Sequence, residues 1–188
     1  MAEHVILFTG PMGAGKTTAI QAVSEIDVVS TEASNSERHL VDKPTTTVAL
    51  DYGEILVDGE EKIRLYGIPG QRRFDFMWAI LKRRAQGMVL LVNNDAPDPV
   101  AEMLAYLDDF RELYDRGGVV VGISRSDIAP EPDLATYADA IALAHAGKVV
   151  PVFTVDPRNN DDMRMVLLAL IANIEMRALF ATVERDAI

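Results

Sequence analysis

The sequence feature that most constrains the fold is a glycine-rich loop near the start of the chain. Residues 10–17 are Gly-Pro-Met-Gly-Ala-Gly-Lys-Thr, which fits the pattern G-x-x-x-x-G-K-[ST]. An apolar run of strand length precedes the loop at residues 4–9, and a helical pattern follows it at residues 18–25. This order of strand, loop and helix predicts a site where backbone N–H groups and the positive end of a helix bind phosphate.

The residue types of the loop suit the phosphates of a nucleotide. Gly10 and Gly15 permit backbone angles and a close approach that a side chain would block. Lys16 can reach the β- and γ-phosphates, and the Thr17 hydroxyl can bind Mg²⁺. We therefore predict a nucleoside triphosphate site. Its predicted residues are Gly10, Met12, Gly13, Ala14, Gly15, Lys16, Thr17 and Thr18.

Composition argues against several other functions. The chain has 188 residues, a length that suits one domain. Its net charge is −11, and it contains no cysteine. The charge argues against nonspecific binding to nucleic acid or to an anionic membrane, and the lack of cysteine excludes disulfides and thiolate chemistry. We find no signal peptide, spanning apolar run or lipidation motif, and so expect a cytoplasmic protein without a membrane anchor.

Strand and helix patterns alternate along most of the chain. A polar, irregular segment at residues 27–46 leads into two strand patterns around the hairpin turn signal Asp58-Gly59. Further strand patterns lie at residues 88–93, 119–123 and 148–153, with helical patterns between and after them. Asp98-Pro99 is typical of a helix start, and one helical pattern runs from there through Leu113 until Gly117-Gly118 ends it. The last helical pattern starts near residues 159–162. We predict a three-layer α/β fold, with a mixed, mostly parallel six-stranded sheet and helices on both faces.

The connections of such a sheet predict where a ligand binds. In open α/β sheets, ligands lie at the carboxyl ends of the strands. The loops after Thr9, Tyr66, Ile123 and Phe153 all belong to that edge. We expect them to converge on one site.

Four motifs resemble, in order and spacing, those of the Ras-like small GTPases. They are the glycine loop, a segment with three threonines, Gly67-Ile68-Pro69-Gly70-Gln71, and Ser124-Arg125-Ser126-Asp127. Residues 65–74 most resemble a bacterial branch that includes the gliding-motility GTPases working with roadblock-type proteins. The resemblance implies a P-loop NTPase with a small G-protein fold, a single G domain over residues 1–188. Its parts would be the P-loop at 10–17, switch I at about 30–47, switch II at about 67–78 and the base-recognition loop at 124–127.

The resemblance also implies roles in the two switches. One of Thr45, Thr46 and Thr47 would complete the Mg²⁺ shell, and we favour Thr47 because it opens directly into a strand pattern. The alternative is that these β-branched residues only begin an edge strand. Gly70 would donate its N–H to the γ-phosphate, and Gln71 would orient the attacking water unless it is simply a loop residue.

The base-recognition loop departs from the Asn-Lys-x-Asp pattern of the family. Asp127 keeps the carboxylate, which would accept the N1–H and amine N–H of guanine, a donor pair that adenine lacks. Arg125 would stack on the base, and Ser124 keeps a small hydroxyl where the family has asparagine. Val155 would contribute backbone contact. The alternative role for Asp127 is a helix cap.

Two other departures concern the metal and the rate of hydrolysis. Gly67 stands where the family has an aspartate that holds a Mg²⁺ water, and Met12 stands where most members have glycine. A long side chain at Met12 should crowd the γ-phosphate and hinder an arginine finger, so we expect slow hydrolysis. Arg38, Arg72 and Arg73 would either supply an arginine for hydrolysis from within the same chain or simply form a solvated surface.

An aromatic patch accompanies switch II. Its residues are Tyr66, Phe74, Phe76, Met77 and Trp78. Such residues at helical spacing usually belong to a core, but aromatic and methionine side chains are also favoured at interfaces. We hypothesise that part of this patch contacts a protein effector or regulator, for which the resemblance implies a roadblock-type partner.

These observations together predict a GTP-binding molecular switch with slow GTP hydrolysis, using Mg²⁺ and cycling between GTP and GDP. Gln71, Lys16 and Thr47 would be the catalytic residues. One alternative is a nucleotide-binding scaffold, a pseudo-GTPase with little turnover. Another is an ATP-binding P-loop protein, although the sequence has no arginine-rich lid or acceptor pocket of the kind a kinase needs.

Overall fold

The computed structural model of the protein describes residues 3–30, 50–57, 61–70, 75–145 and 149–186. The strands lie at β1 Glu3–Thr9, β2 Val29–Ser30, β3 Asp51–Val57, β4 Glu61–Gly67, β5 Gly87–Asn93, β6 Val119–Ser124 and β7 Val152–Thr154. The helices lie at α1 Lys16–Val23, α2 Asp75–Arg84, α3 Pro99–Asp109, α4 Arg111–Asp115, α5 Leu134–Ala144 and α6 Asn160–Asp186.

The seven strands of the described ranges form one sheet in the order β2-β3-β4-β1-β5-β6-β7. Strands β4, β1, β5, β6 and β7 pair in parallel, whereas β3 pairs antiparallel with both β2 and β4. Every residue of β5 and β6 is buried, as expected for parallel strands covered on both faces. The predicted mixed, mostly parallel sheet is confirmed.

Helices cover both faces of the sheet and enclose two apolar layers. Helices α1 and α6 pack on one face through side chains such as Ile20 and Leu170. Helices α2 to α5 pack on the other face, with side chains such as Met103, Phe110 and Tyr137. These layers confirm the predicted three-layer α/β fold.

In the part of the chain that the structure describes, the sheet has seven strands, one more than the six predicted. Strand β2 has only two residues, Val29 and Ser30, which pair with Tyr52 and Asp51 of β3. Two residues are too few for an alternating pattern, so this strand is fixed by its partner's backbone rather than by its own sequence. The predicted hairpin is confirmed by the antiparallel register of β3 and β4, although its turn, residues 58–60, lies outside the described residues.

The predicted long helix after Asp98 is two helices. Asp98 caps α3 by accepting a hydrogen bond from the Ala101 N–H, as predicted, with proline at the first turn. The helical backbone breaks at Phe110, whose φ and ψ are −109° and 30°, and α4 begins at the next residue. The side chain of Phe110 is fully buried, so the periodic apolar pattern continues through the break.

None of the helices in the described ranges combines the length and apolar character needed to cross a membrane.

Candidate nucleotide-binding site

The glycine loop joins β1 to α1 and takes the backbone conformation that its glycines permit. The φ angles of Gly10 and Gly15 are 136° and 89°, in the region that favours glycine. A Cβ atom on Gly10 would also overlap the carbonyl oxygen of Leu91 on β5. Gly15 directly precedes the first residue of α1, so the loop ends at the positive end of that helix.

Lys16 is held along the loop by backbone carbonyl groups. Its Nζ donates to the carbonyl oxygens of Gly10 at 2.9 Å and Pro11 at 2.7 Å. Burial lowers the pKa of Lys16 to about 8, against the opposing effect of the negative charges of Asp51 and Glu102. A poorly hydrated ammonium group at this position favours an anion, which a phosphate would supply.

Thr17 has a carboxylate partner that the sequence analysis missed. Its Oγ1 donates to Oδ2 of Asp51 at 2.5 Å, and Ser30 Oγ donates to Oδ1 of the same side chain at 2.7 Å. No local motif marked this contact, because it depends on the strand pairing that sets Asp51 opposite Gly67 across β3 and β4. Asp51 therefore joins β2, β3 and α1 beside the phosphate loop.

Gly70 lies against the phosphate loop, and its predicted contact with a γ-phosphate stays a prediction. A Cβ atom at Gly70 would overlap the carbonyl oxygen of Gly10, and the Tyr106 hydroxyl donates to the Gly70 carbonyl oxygen at 3.0 Å. Gln71 and the three threonines Thr45, Thr46 and Thr47 lie outside the described residues, as do Arg38, Arg72 and Arg73. Their assigned roles stay predictions.

A cavity of about 580 Å³ opens beside the loop at the carboxyl edge of the sheet. It brings together most of the predicted nucleotide-binding residues, namely Gly13, Ala14, Gly15, Thr18, Ser124, Arg125, Asp127 and Val155. Its other lining residues come from the segment after β6, the end of β7 and the residues from there into α6, namely Ser126, Ile128, Thr154, Asp156, Pro157, Arg158 and Asp162. The predicted convergence of loops is confirmed for those after β1, β6 and β7.

Arg125 connects the loop after β6, which was predicted to recognise the base, to the phosphate loop. Its guanidinium donates to Oδ2 of Asp95 at 2.9 Å and to the carbonyl oxygen of Gly13 at 3.2 Å. Ser124 is buried and turns the other way, donating to the Val92 carbonyl oxygen at 3.2 Å and to Oδ1 of Asn93 at 3.1 Å. Arg125, rather than residue 124, thus ties the two loops together.

Asp156 and Arg158, which were not assigned from the sequence, form a charged pair in the wall of the cavity. Arg158 contacts Asp156 through Nε and Nη2, at 2.9 and 2.8 Å. This hydrogen bonding lowers the pKa of Asp156 to about 2. Asp127 lines the same cavity and is exposed, so its carboxylate is accessible to a ligand.

The aromatic patch is not the uniform surface that a partner site would need. The Trp78 side chain is 4% exposed, packs against Tyr106 and Phe110, and donates to the Pro69 carbonyl oxygen at 3.2 Å. Trp78 therefore belongs to the core. Tyr66 is half-buried against Tyr52, whereas Phe74 and the side chains of Phe76 and Met77 lie outside the described residues.

One family model matches the chain. It covers residues 26–143 and is described as a conserved hypothetical ATP binding protein. The match spans more than half of the chain, starts after the phosphate loop and includes the base-recognition loop. No curated protein matches the chain. From the extent of the family match, the chain belongs to the family of conserved hypothetical ATP binding proteins.

Proposed function

We propose that this protein is a GTP-binding molecular switch that hydrolyses GTP slowly. The phosphate loop and the family description both support nucleotide binding. The observation that carries the choice of guanine is the cavity that joins the loop residues Gly13 to Gly15 to the accessible carboxylate of Asp127. Guanine presents two N–H donors side by side to such a carboxylate, and adenine presents no such pair.

The phosphate end of the site belongs to the loop and the first turn of α1. Backbone N–H groups of the loop would bind the phosphate oxygens, helped by the positive end of α1. Lys16 would exchange its contacts with Gly10 and Pro11 for the β- and γ-phosphates. Thr17 would hold Mg²⁺, which neutralises charge that develops on the phosphates.

The base end belongs to the loops after β6 and β7. Asp127 would accept the two guanine donors, and Arg125 would cover one face of the base while it holds the Gly13 carbonyl. Val155 is buried and lines the cavity beside the base-recognition loop. With the phosphates at one end of the cavity and the base at the other, the sugar would lie over Gly15 and Thr18.

Switching would depend on Gly70 and its neighbours. Gly70 lies against the Gly10 carbonyl, and this proximity supports the proposal that its N–H would sense a γ-phosphate. It also lines a cavity of about 260 Å³ with Trp78 and Tyr106, which leaves room for this segment to rearrange. We propose that Gln71 orients the attacking water and that Thr47 completes the Mg²⁺ shell.

A partner would bind the segments that respond to the nucleotide. Because Trp78 is in the core, the hypothesis of a partner surface now concerns Phe74, Phe76 and Met77. We propose an effector or regulator, of which roadblock-type proteins are one class. Alanine at Phe76 should weaken capture of that partner without changing nucleotide affinity.

ATP binding is the second candidate, and the family description favours it. One binding experiment on the purified protein distinguishes GTP binding from ATP binding. Nucleotide extracted from the protein is identified by chromatography, and the stripped protein is then titrated with GDP and ADP in Mg²⁺. Tighter binding of GDP supports our proposal, whereas adenine nucleotide in the extract and tighter binding of ADP contradict it.

Single-turnover hydrolysis distinguishes a slow GTPase from a pseudo-GTPase. We expect a measurable rate for the native protein and a rate at least about tenfold lower for Gln71→Ala, equivalent to roughly 1.4 kcal/mol in the barrier. GDP affinity should stay the same in both proteins. A native rate at background, unchanged by the substitution, would instead support a scaffold.

A further inference from the structure

Gly67, at the end of β4, faces a space that Asp51 already fills. The two residues oppose each other in the antiparallel register of β3 and β4. A Cβ atom on Gly67 would lie 3.0 Å from both Cβ and Oδ2 of Asp51, which is closer than ordinary van der Waals contact. The carboxylate on β3 therefore occupies the volume that a side chain on β4 would need.

The Asp51 carboxylate is oriented by two hydroxyl groups. Thr17 Oγ1 contacts Oδ2 at 2.5 Å, and Ser30 Oγ contacts Oδ1 at 2.7 Å. Each carboxylate oxygen therefore has its own donor. The side chain is fixed against the phosphate loop on one side and against β2 on the other.

The contact with Thr17 matters for a cation on the phosphates. Because the Thr17 hydroxyl donates its proton to Asp51, its lone pairs remain available to Mg²⁺. Mg²⁺ in phosphate sites is commonly held by one or two carboxylates together with the phosphates, and partners of a ligand orient it. Within the described ranges, no group of three or more His, Cys, Asp or Glu side chains could hold a metal ion on its own. A cation at this site would therefore also need the phosphates of the nucleotide.

We infer that Asp51 is the positioning residue of the Mg²⁺ site, supplying from β3 the carboxylate that is missing from β4 at Gly67. The inference rests on the proposed function, because it needs a nucleotide on the phosphate loop. Asp51 orients Thr17 and adds negative charge beside the cation. The site thus keeps a carboxylate, at Asp51 on β3, although residue 67 on β4 is glycine.

The test measures how Mg²⁺ tightens the binding of fluorescent GDP to the full chain, with EDTA as the metal-free reference. For Asp51→Asn, we expect the Mg²⁺ concentration at half-effect to rise about 10- to 100-fold. Affinity in EDTA should be unchanged or tighter, because a negative charge near the phosphates is removed. An unchanged Mg²⁺ half-effect overturns the inference, and so does an equal loss of affinity with and without the metal.

Two further variants separate a metal role from a structural role. Glu54→Gln removes a carboxylate from the same strand, where it contacts Tyr52 and Lys62, and should leave the Mg²⁺ half-effect unchanged. Asp51→Gly combined with Gly67→Asp moves the carboxylate back to β4, where the vacated space can accept it. This double variant should recover Mg²⁺ dependence that Asp51→Gly alone has lost, and failure to recover it counts against the inference.

The same titrations with ADP distinguish this inference from the choice of base. A protein that binds ADP but not GDP contradicts the guanine proposal, and the Asp51 variants are then judged on ADP. A protein that binds neither nucleotide contradicts both.

Discussion

Met12 extends from the phosphate loop with 77% of its surface exposed. Little core packing depends on its side chain, so changes there should act on the bound phosphates and hardly at all on folding. Glycine at this position would open the approach to the γ-phosphate. The residue thus offers a direct way to test why hydrolysis should be slow.

We predict that Met12→Gly raises the single-turnover rate of GTP hydrolysis by up to about tenfold, or roughly 1.4 kcal/mol in the barrier. GDP affinity should change little. Met12→Leu keeps the bulk of the side chain and should leave the rate at its native value. Equal rates in all three proteins would mean that Met12 does not limit turnover.

Residues defined by a local motif were predictable from the sequence, and those defined by pairing were not. Lys16 and Thr17 follow from the spacing of the glycine loop. Asp51 and Asp95 matter because strand pairing and a loop turn bring them to Thr17 and Arg125, 34 and 30 positions away along the chain. Trp78 shows the converse, since aromatic character alone did not distinguish a core position from a surface.

At the scale of elements, α5 is anchored to the end of β5 by one polar cluster. The Tyr137 hydroxyl donates to Oδ1 of Asn94 at 2.5 Å. Asn94 in turn donates from Nδ2 to the carbonyl oxygens of Ala129 at 2.6 Å and Pro132 at 3.1 Å. This cluster holds the segment just after the base-recognition loop, so its integrity should support the base end of the cavity.

Tyr137→Phe should lower the free energy of unfolding by about 1–2 kcal/mol at pH 7, because buried Asn94 loses a hydrogen-bond donor. Burial also raises the pKa of Tyr137 from its ordinary value of 10.0 to about 12. The neutral phenol is therefore favoured in the folded state, and its contribution is lost as pH rises from 10 to 12. The variant should lose less stability over that interval.

Urea unfolding at pH 7, 10 and 11 measures both effects. Tyr52 and Tyr114 also have raised pKa values, mainly because of burial. In Tyr137→Phe, the decrease of the unfolding free energy with pH should therefore become smaller but not vanish. Parallel pH profiles for the native protein and the variant would contradict this account of α5.

The elements found from the sequence were those with strong periodic or continuous apolar patterns. The buried strands β5 and β6 lie within one residue of their predicted limits, and the long helix α6 begins inside its predicted start at residues 159–162. Strand β2 and the break between α3 and α4 were missed because they depend on a neighbouring strand and on backbone geometry at Phe110. Strand β7 is shorter than predicted and begins only after Pro151.

At the scale of the whole molecule, the chain was predicted to be one domain over residues 1–188. One continuous sheet runs through the described segments, and α1 and α6, from opposite ends of the chain, pack in the same apolar layer. Such long-range packing couples the phosphate loop to the rest of the sheet. It makes cooperative unfolding the natural expectation.

We therefore predict a single thermal unfolding transition, which GDP and Mg²⁺ shift as a whole. At a ligand concentration about 1,000 times Kd, the stabilisation should approach roughly 4 kcal/mol. Differential scanning calorimetry with and without nucleotide measures this directly. Two transitions, with only one responding to nucleotide, would contradict the one-domain prediction.

In the proposed function, the Asp127 carboxylate selects guanine. Xanthine has a carbonyl where guanine has its amine, so an amide at residue 127 would match xanthine as a carboxylate matches guanine. The decisive measurement is the Kd of GDP, ADP and xanthosine diphosphate for the native protein and for Asp127→Asn, with Asp139→Asn on the exposed side of α5 as the control. We predict that the native protein and the control prefer GDP by about 100-fold or more, and that Asp127→Asn prefers xanthosine diphosphate. Native protein that binds ADP as tightly as GDP, or an Asp127→Asn variant with the native preference, would contradict the claim.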